Sequence, residues 1–131
     1  MSLDKDNSAF LPSILICDPQ YMTRSSFTLL AKEFGCGEVI ETSEIKTAKI
    51  KCEGHTFDLI ILGIDEQSEA TSLIRLIRDN LLLSPKDVPI IVMLEEVTLE
   101  ILNELKSLNV SEILVKPTRM KTIYDSFSRY L

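Results

Sequence analysis

Residues 57–67 read Phe57-Asp58-Leu59-Ile60-Ile61-Leu62-Gly63-Ile64-Asp65-Glu66-Gln67, and the run from Phe57 to Leu62 decides the fold. Apart from Asp58 near its start, it is apolar on both faces of an extended chain. That pattern suits a strand covered from above and below, in the middle of a parallel sheet. A glycine then stands where such a strand should end. Two structural reasons present themselves: a sharp turn after a buried strand, or a loop packed closely over it.

The neighbouring segments repeat the strand-then-helix rhythm. Ser13-Ile14-Leu15-Ile16-Cys17 is a short apolar run stopped by Asp18-Pro19, a second buried strand. Phe27, Leu30, Ala31 and Phe34 recur at one helical face, and Gly35-Cys36-Gly37 ends that helix. Glu38 to Glu41 reads as a short strand, after which Ser43 is expected to cap a helix running to about Cys52 and closed by Gly54. Leu73, Leu76 and Ile77, with Ile74 and Leu81 beside them, predict the next helix. Val88 to Leu94 is a fourth strand, Ile101, Leu105 and Leu108 mark a helix behind it, and Glu112 to Val115 is a fifth strand before Lys116-Pro117. Met120, Ile123, Tyr124, Phe127 and Leu131 draw the last helical stripe.

Strands alternating with helices in this way predict an α/β domain of flavodoxin-like (βα)5 type, a doubly wound five-stranded parallel sheet with helices on both faces. Functional crevices in such sheets lie beyond the carboxyl ends of the strands, where strand order reverses. The residues at those ends are Cys17 and Asp18, Gly63, Leu94 and Lys116.

Composition bounds the function classes. A chain of 131 residues, 45% hydrophobic and 26% charged, fits one globular domain, taken as residues 13–131 behind a tail of residues 1–12 that starts with what reads as a cloning remnant. No apolar run approaches the roughly 18 residues that span a bilayer, and the polar start has no signal-peptide pattern, so a soluble cytoplasmic protein is expected. Cys17, Cys36 and Cys52 form no C-x-x-C pair, which argues against a disulfide framework and a zinc site. A net charge of −6 disfavours nucleic acid and anionic membrane, leaving proteins as the expected partners. The chain has no H-E-x-x-H, P-loop, G-x-S-x-G or dinucleotide fingerprint. His55 stands in a turn with no second ligand or nucleophile near it in sequence, and the sequon Asn109-Val110-Ser111 carries little weight without a route of export.

Four blocks, Ile14-Leu15-Ile16-Cys17-Asp18, Phe57 to Gly63, Val88 to Leu94 and Ile113-Leu114-Val115-Lys116-Pro117, together resemble the successive signatures of the receiver domain of two-component response regulators. The likeness runs from about Ser13 to Leu131, and the Lys-Pro pair is its most telling match. The resemblance implies a phosphate switch. In that family an acidic pair after the first strand holds magnesium, an aspartate at the end of the third accepts a phosphoryl group from a histidine kinase, and a hydroxyl residue and the lysine contact the phosphoryl oxygens. An aromatic residue in the fifth strand reports the change. Magnesium requires hard oxygen ligands, and the transferred group needs its charge neutralised.

This chain departs from that apparatus at most positions. Cys17 stands for the first acid, Gly63 for the acceptor, Leu94 for the hydroxyl residue and Ile113 for the aromatic one, while Asp18, Lys116 and Pro117 match. Glycine offers nothing to phosphorylate, and leucine cannot hydrogen-bond a phosphoryl oxygen. The expectation is a degenerate receiver that keeps the fold and signals through protein contacts, is not an enzyme, and carries no cofactor beyond weak magnesium at Asp18. Its contact surface, including that of a homodimer, would be the fourth helix, fifth strand and fifth helix, from about Val97 to Leu131. Alternatives are a receiver phosphorylated at a displaced carboxylate, Asp65 or Asp18, and a small-ligand binder using the vacated crevice.

The individual residues keep plainer readings. Asp18 before Pro19 also suits a turn or a helix cap, and Asp65 an ordinary acidic loop residue. Cys17 suits a small core residue better than a redox sensor. Lys116 is expected either to contact Asp18 or Asp65 and hold the pocket in one state, or to reach solvent.

Overall fold

The computed structural model describes residues 11–64 and 67–131. The tail as far as residue 10, and Asp65, lie outside the described residues. The chain alternates β1 (Ser13–Cys17), α1 (Tyr21–Glu33), β2 (Glu38–Thr42), α2 (Ile45–Gly54), β3 (Leu59–Gly63), α3 (Gln67–Arg78), β4 (Ile90–Leu94), α4 (Leu99–Ser107), β5 (Glu112–Val115) and α5 (Met120–Tyr130). All pairings are parallel, in the order β2-β1-β3-β4-β5. This is the flavodoxin-like doubly wound sheet, with the order reversing between β1 and β3.

Period-two alternation along the strands sorts the core into two layers. Leu15, Cys17, Ile60, Leu62, Ile90, Val92 and Leu94 face α2, α3 and α4, where Ala48, Cys52, Leu73, Ile74, Ile77, Ile101 and Leu105 meet them. Ile14, Ile16, Leu59, Ile61, Ile91, Met93 and Leu114 face α1 and α5, packing on Phe27, Leu30, Ala31, Ile123 and Phe127. Every residue of β3 and β4 is buried, as the two-sided apolar pattern of Phe57 to Leu62 requires.

Several boundaries differ from the sequence reading. The third strand begins at Leu59 because the Phe57 amide donates to Ser84 Oγ at 2.8 Å instead of joining the sheet, and it runs through Gly63 rather than stopping before it. The fourth begins at Ile90, since Pro89 gives only its carbonyl, to the Ile60 amide. Ser43 caps nothing: α2 starts one residue later than a Ser43 cap requires, with Glu44 at the N-cap and no side-chain bond there. Leu81 leaves the helical stripe because Asn80, at φ 61°, takes the left-handed conformation that ends α3 and turns Leu81 outward. On α5 the stripe is only half used, with Ile123 and Phe127 buried but Met120 and Tyr124 43% and 52% exposed.

The cysteines are free thiols: Cys17 and Cys52 are buried and Cys36 is half-buried. Burial, then the charge of Cys17 if ionised, pushes the Cys52 thiol from 9.0 up to about 11. A raised folded-state value means stability that is fully present below pH 9.0 and is lost as pH rises toward about 11. Thiol-alkylation kinetics between neutral pH and pH 11 should therefore show Cys36 labelled first and Cys52 only with alkaline loosening or denaturant. Rapid labelling of Cys52 at neutral pH would contradict its protected state.

Candidate functional site

The loop leaving β1 organises the carboxyl end of the sheet. Asp18 is fully buried, and its amide donates to the Thr42 carbonyl at 3.1 Å, extending the β1–β2 ladder by one bond. Its Oδ1 accepts from the Gln20 amide at 2.8 Å, an Asx turn around Pro19 that launches α1. This turn and a charged contact with Lys116 coexist in one side chain. Arg24 Nη1 donates to the Asp18 carbonyl at 2.8 Å, while Arg24 Nε faces Glu41 Oε1 at 3.4 Å.

Lys116 arrives from the opposite edge. Its amide donates to the Leu94 carbonyl at 2.8 Å, fixing the end of β5 against β4. Its Nζ lies 2.7 Å from Asp18 Oδ2 and 3.3 Å from Gln20 Oε1. The Lys116 side chain is 13% exposed and that of Asp18 is not exposed at all, so the pair is shielded from solvent. Oδ2 receives the ammonium without a well-angled hydrogen bond, which makes the contact chiefly one of charge.

Gly63 explains how the carboxylate fits. A Cβ placed on Gly63 would meet Asp18 Oδ2, with Asp18 Cγ only 2.7 Å from it. The glycine's φ is not positive, so its need is steric rather than conformational. A turn does not require it: the close neighbour is the Asp18 side chain, from the loop that leaves β1. Asp18 thus projects from the loop after β1 into the volume that a side chain on β3 would fill, and meets Lys116 there.

Other predicted positions are passive. Cys17 is a buried thiol pushed up chiefly by desolvation, consistent with a core residue. Leu94 closes β4 at 4% exposure. Ile113 is half-buried against the layer beneath α4, two residues before the exposed Val115. Pro117 lies past the pocket on the wall of a cleft of about 500 Å³, between the start of α1 and the start of α5, which Gln20, Met22, Phe27, Lys116 and Ile123 also line. His55 is remote, at the far end of the sheet, 3.7 Å from Glu38 Oε1. Gln20 and Arg24 escaped the sequence reading. Asp18-Pro19 signalled the turn that brings in Gln20, but nothing along the chain announced that Arg24 reaches back to a carbonyl.

Among the described residues, the donor set at the strand ends does not fit magnesium. Both Asp18 oxygens are engaged, one by a backbone amide and one by an ammonium, and the flanking positions offer a buried thiol and a glycine. Among the described residues there is no group of three acidic, histidine or cysteine side chains able to hold a metal ion. Nor is there a helix long and apolar enough to cross a membrane.

No family model matches the chain, and no curated protein matches it. Solved structures do. A response regulator from Thermotoga maritima superposes with a TM-score of 0.79 at 18% identity, covering 92% of this chain and 98% of that one. A signal receiver domain of a two-component histidine kinase from Clostridium thermocellum gives 0.79 at 20% identity, covering 92% and 97%. A chemotaxis response regulator of Vibrio cholerae gives 0.78 at 22%, covering 92% and 99%. At these identities the likeness establishes the fold.

Proposed function

We propose that this domain is an atypical receiver in two-component signal transduction, one that works by protein contact without phosphoryl transfer at the usual position. The observation that carries the reading is the Asp18–Lys116 pair seated over Gly63, 2.7 Å from carboxylate to ammonium. The lysine that would neutralise an incoming phosphoryl group is committed to a buried carboxylate. With Leu94 beside it no hydroxyl assists. The pocket is held in one state, the domain needs no magnesium, and its role is binding rather than catalysis, in the cytoplasm.

The exposed apolar residues Val97, Leu99, Val115, Met120 and Tyr124 form the contact face across α4, β5 and α5 that serves signalling partners or a second copy. Transfer to Asp18 itself is disfavoured because its carboxylate is fully buried and both oxygens are occupied. Intact-mass analysis after incubation with acetyl phosphate and magnesium should show no added phosphoryl mass, alongside an ordinary receiver as positive control. A base-labile adduct mapped to Asp18 or Asp65 would replace this reading with displaced acceptance.

The cleft of about 500 Å³ beside Lys116 supports a second reading, a small-ligand site. Thermal-shift measurements with flavins and nucleotides separate the two, since a contact module should show no stabilisation by either.

A further inference from the structure

On the face of the sheet opposite the Lys116 cleft, α2 and α3 leave between them a groove of about 390 Å³. Ile45, Leu73 and Leu76 supply its apolar lining, and Lys46 and Lys49 stand at its edge with Glu69. Both lysines are exposed, and neither forms an ion pair or hydrogen bond among the described residues. In a chain of net charge −6, α2 runs against the trend, carrying Lys46, Lys49 and Lys51 against the lone acid Glu53.

We propose that this groove docks an acidic amphipathic protein segment, which sets apolar side chains on Ile45, Leu73 and Leu76 and carboxylates against Lys46 and Lys49. Uncommitted ammonium groups beside an apolar floor favour that partner, because each half of an amphipathic segment finds its complement. A flat anionic membrane would reach the lysines but not the floor. The charge pattern also sets a direction. A smaller cleft of about 140 Å³, lined by Glu44 and Gly63 among others, shares Ile45 and Glu69 with the groove. The end of the docked segment nearer Gly63 therefore passes between Glu44 and Glu69 and is neutral or basic.

The inference rests on the reading of the domain as a contact module, but uses a different surface from the α4–β5–α5 face. Its test is a titration of the isotope-labelled chain, followed by amide chemical shifts, with a short helix-forming peptide carrying leucine on one face and glutamate on the other. The glutamate peptide should shift the amides of α2 and α3. Its affinity should fall as salt is raised, and by at least about tenfold for Lys46→Glu/Lys49→Glu, whose unfolding midpoint should stay unchanged because both side chains are exposed. Shifts equal for a lysine-for-glutamate peptide, shifts confined to other faces, or binding only to phosphatidylserine vesicles would overturn it. A chain that accepts phosphate yet binds the peptide would sink the reading of the pocket and leave this groove standing; a chain that takes no phosphate and does not bind the peptide would remove the groove alone, and one that takes phosphate without binding the peptide would remove both.

Discussion

Gly63→Ala is expected to lower the unfolding midpoint by roughly 10–20 °C. The added methyl would lie on Asp18 Oδ2, with Cγ at 2.7 Å, so the carboxylate has to leave its place. The clash is with a buried charged group on a backbone-anchored turn, not with the far end of a flexible chain. Moving it separates the carboxylate from Lys116 and strains the turn held by the Gln20 amide. The effect should belong to the pair rather than to the glycine. In an Asp18→Gly background, the same Gly63→Ala change should cost little, because the volume is then free. Thermal unfolding of the four chains provides the cycle. Equal losses in both backgrounds would mean that Asp18 and Gly63 are not sterically coupled.

The second large effect is expected from Lys116→Met. It keeps most of the side-chain volume but leaves the Asp18 carboxylate buried without its cation, at a cost of about 3–5 kcal/mol. Asp18→Asn in the same chain should recover about 2 kcal/mol or more, since the amide is neutral and its oxygen can still accept from the Gln20 amide. Urea unfolding measures both. A loss below about 1 kcal/mol for Lys116→Met would rank the contact with ordinary surface ion pairs and remove the argument that the pocket is locked.

Together the two experiments test the same geometry from its two sides. The first asks whether the absent side chain on β3 is what admits Asp18. The second asks whether the admitted carboxylate is what holds Lys116. On the proposed reading, the carboxylate of Asp18, just past the end of β1, takes up the place of a reactive one at the end of β3. The phosphoryl group would have to displace a buried ion pair to enter.

The fold was legible because it depends on patterns that lie along the chain. Two-sided apolar runs at Ile14 to Cys17 and Leu59 to Leu62 identify central strands, and one-sided helical stripes such as Ile101, Leu105 and Leu108 identify covering helices. Where reading failed, a non-local or conformational partner intervened. Ser84, distant in sequence, diverts the Phe57 amide from the sheet, and the left-handed Asn80 ends α3 before Leu81. Met120 and Tyr124 keep helical spacing while remaining exposed, because the core beneath α5 is filled by Ile123 and Phe127.

For the site, the identity of Gly63 is enough to show that the third strand ends in a residue without a side chain. That much is chemistry written into residue type. The sequence reading left Lys116 between Asp18, Asp65 and solvent, and left Gly63 between a turn and a close-packed loop. Both are questions of distance between strands, and tertiary structure answered them together. Parallel pairing sets the ends of β1 and β3 side by side, so the one missing Cβ opens a space that Asp18, just past the end of β1, fills within 2.7 Å of Lys116.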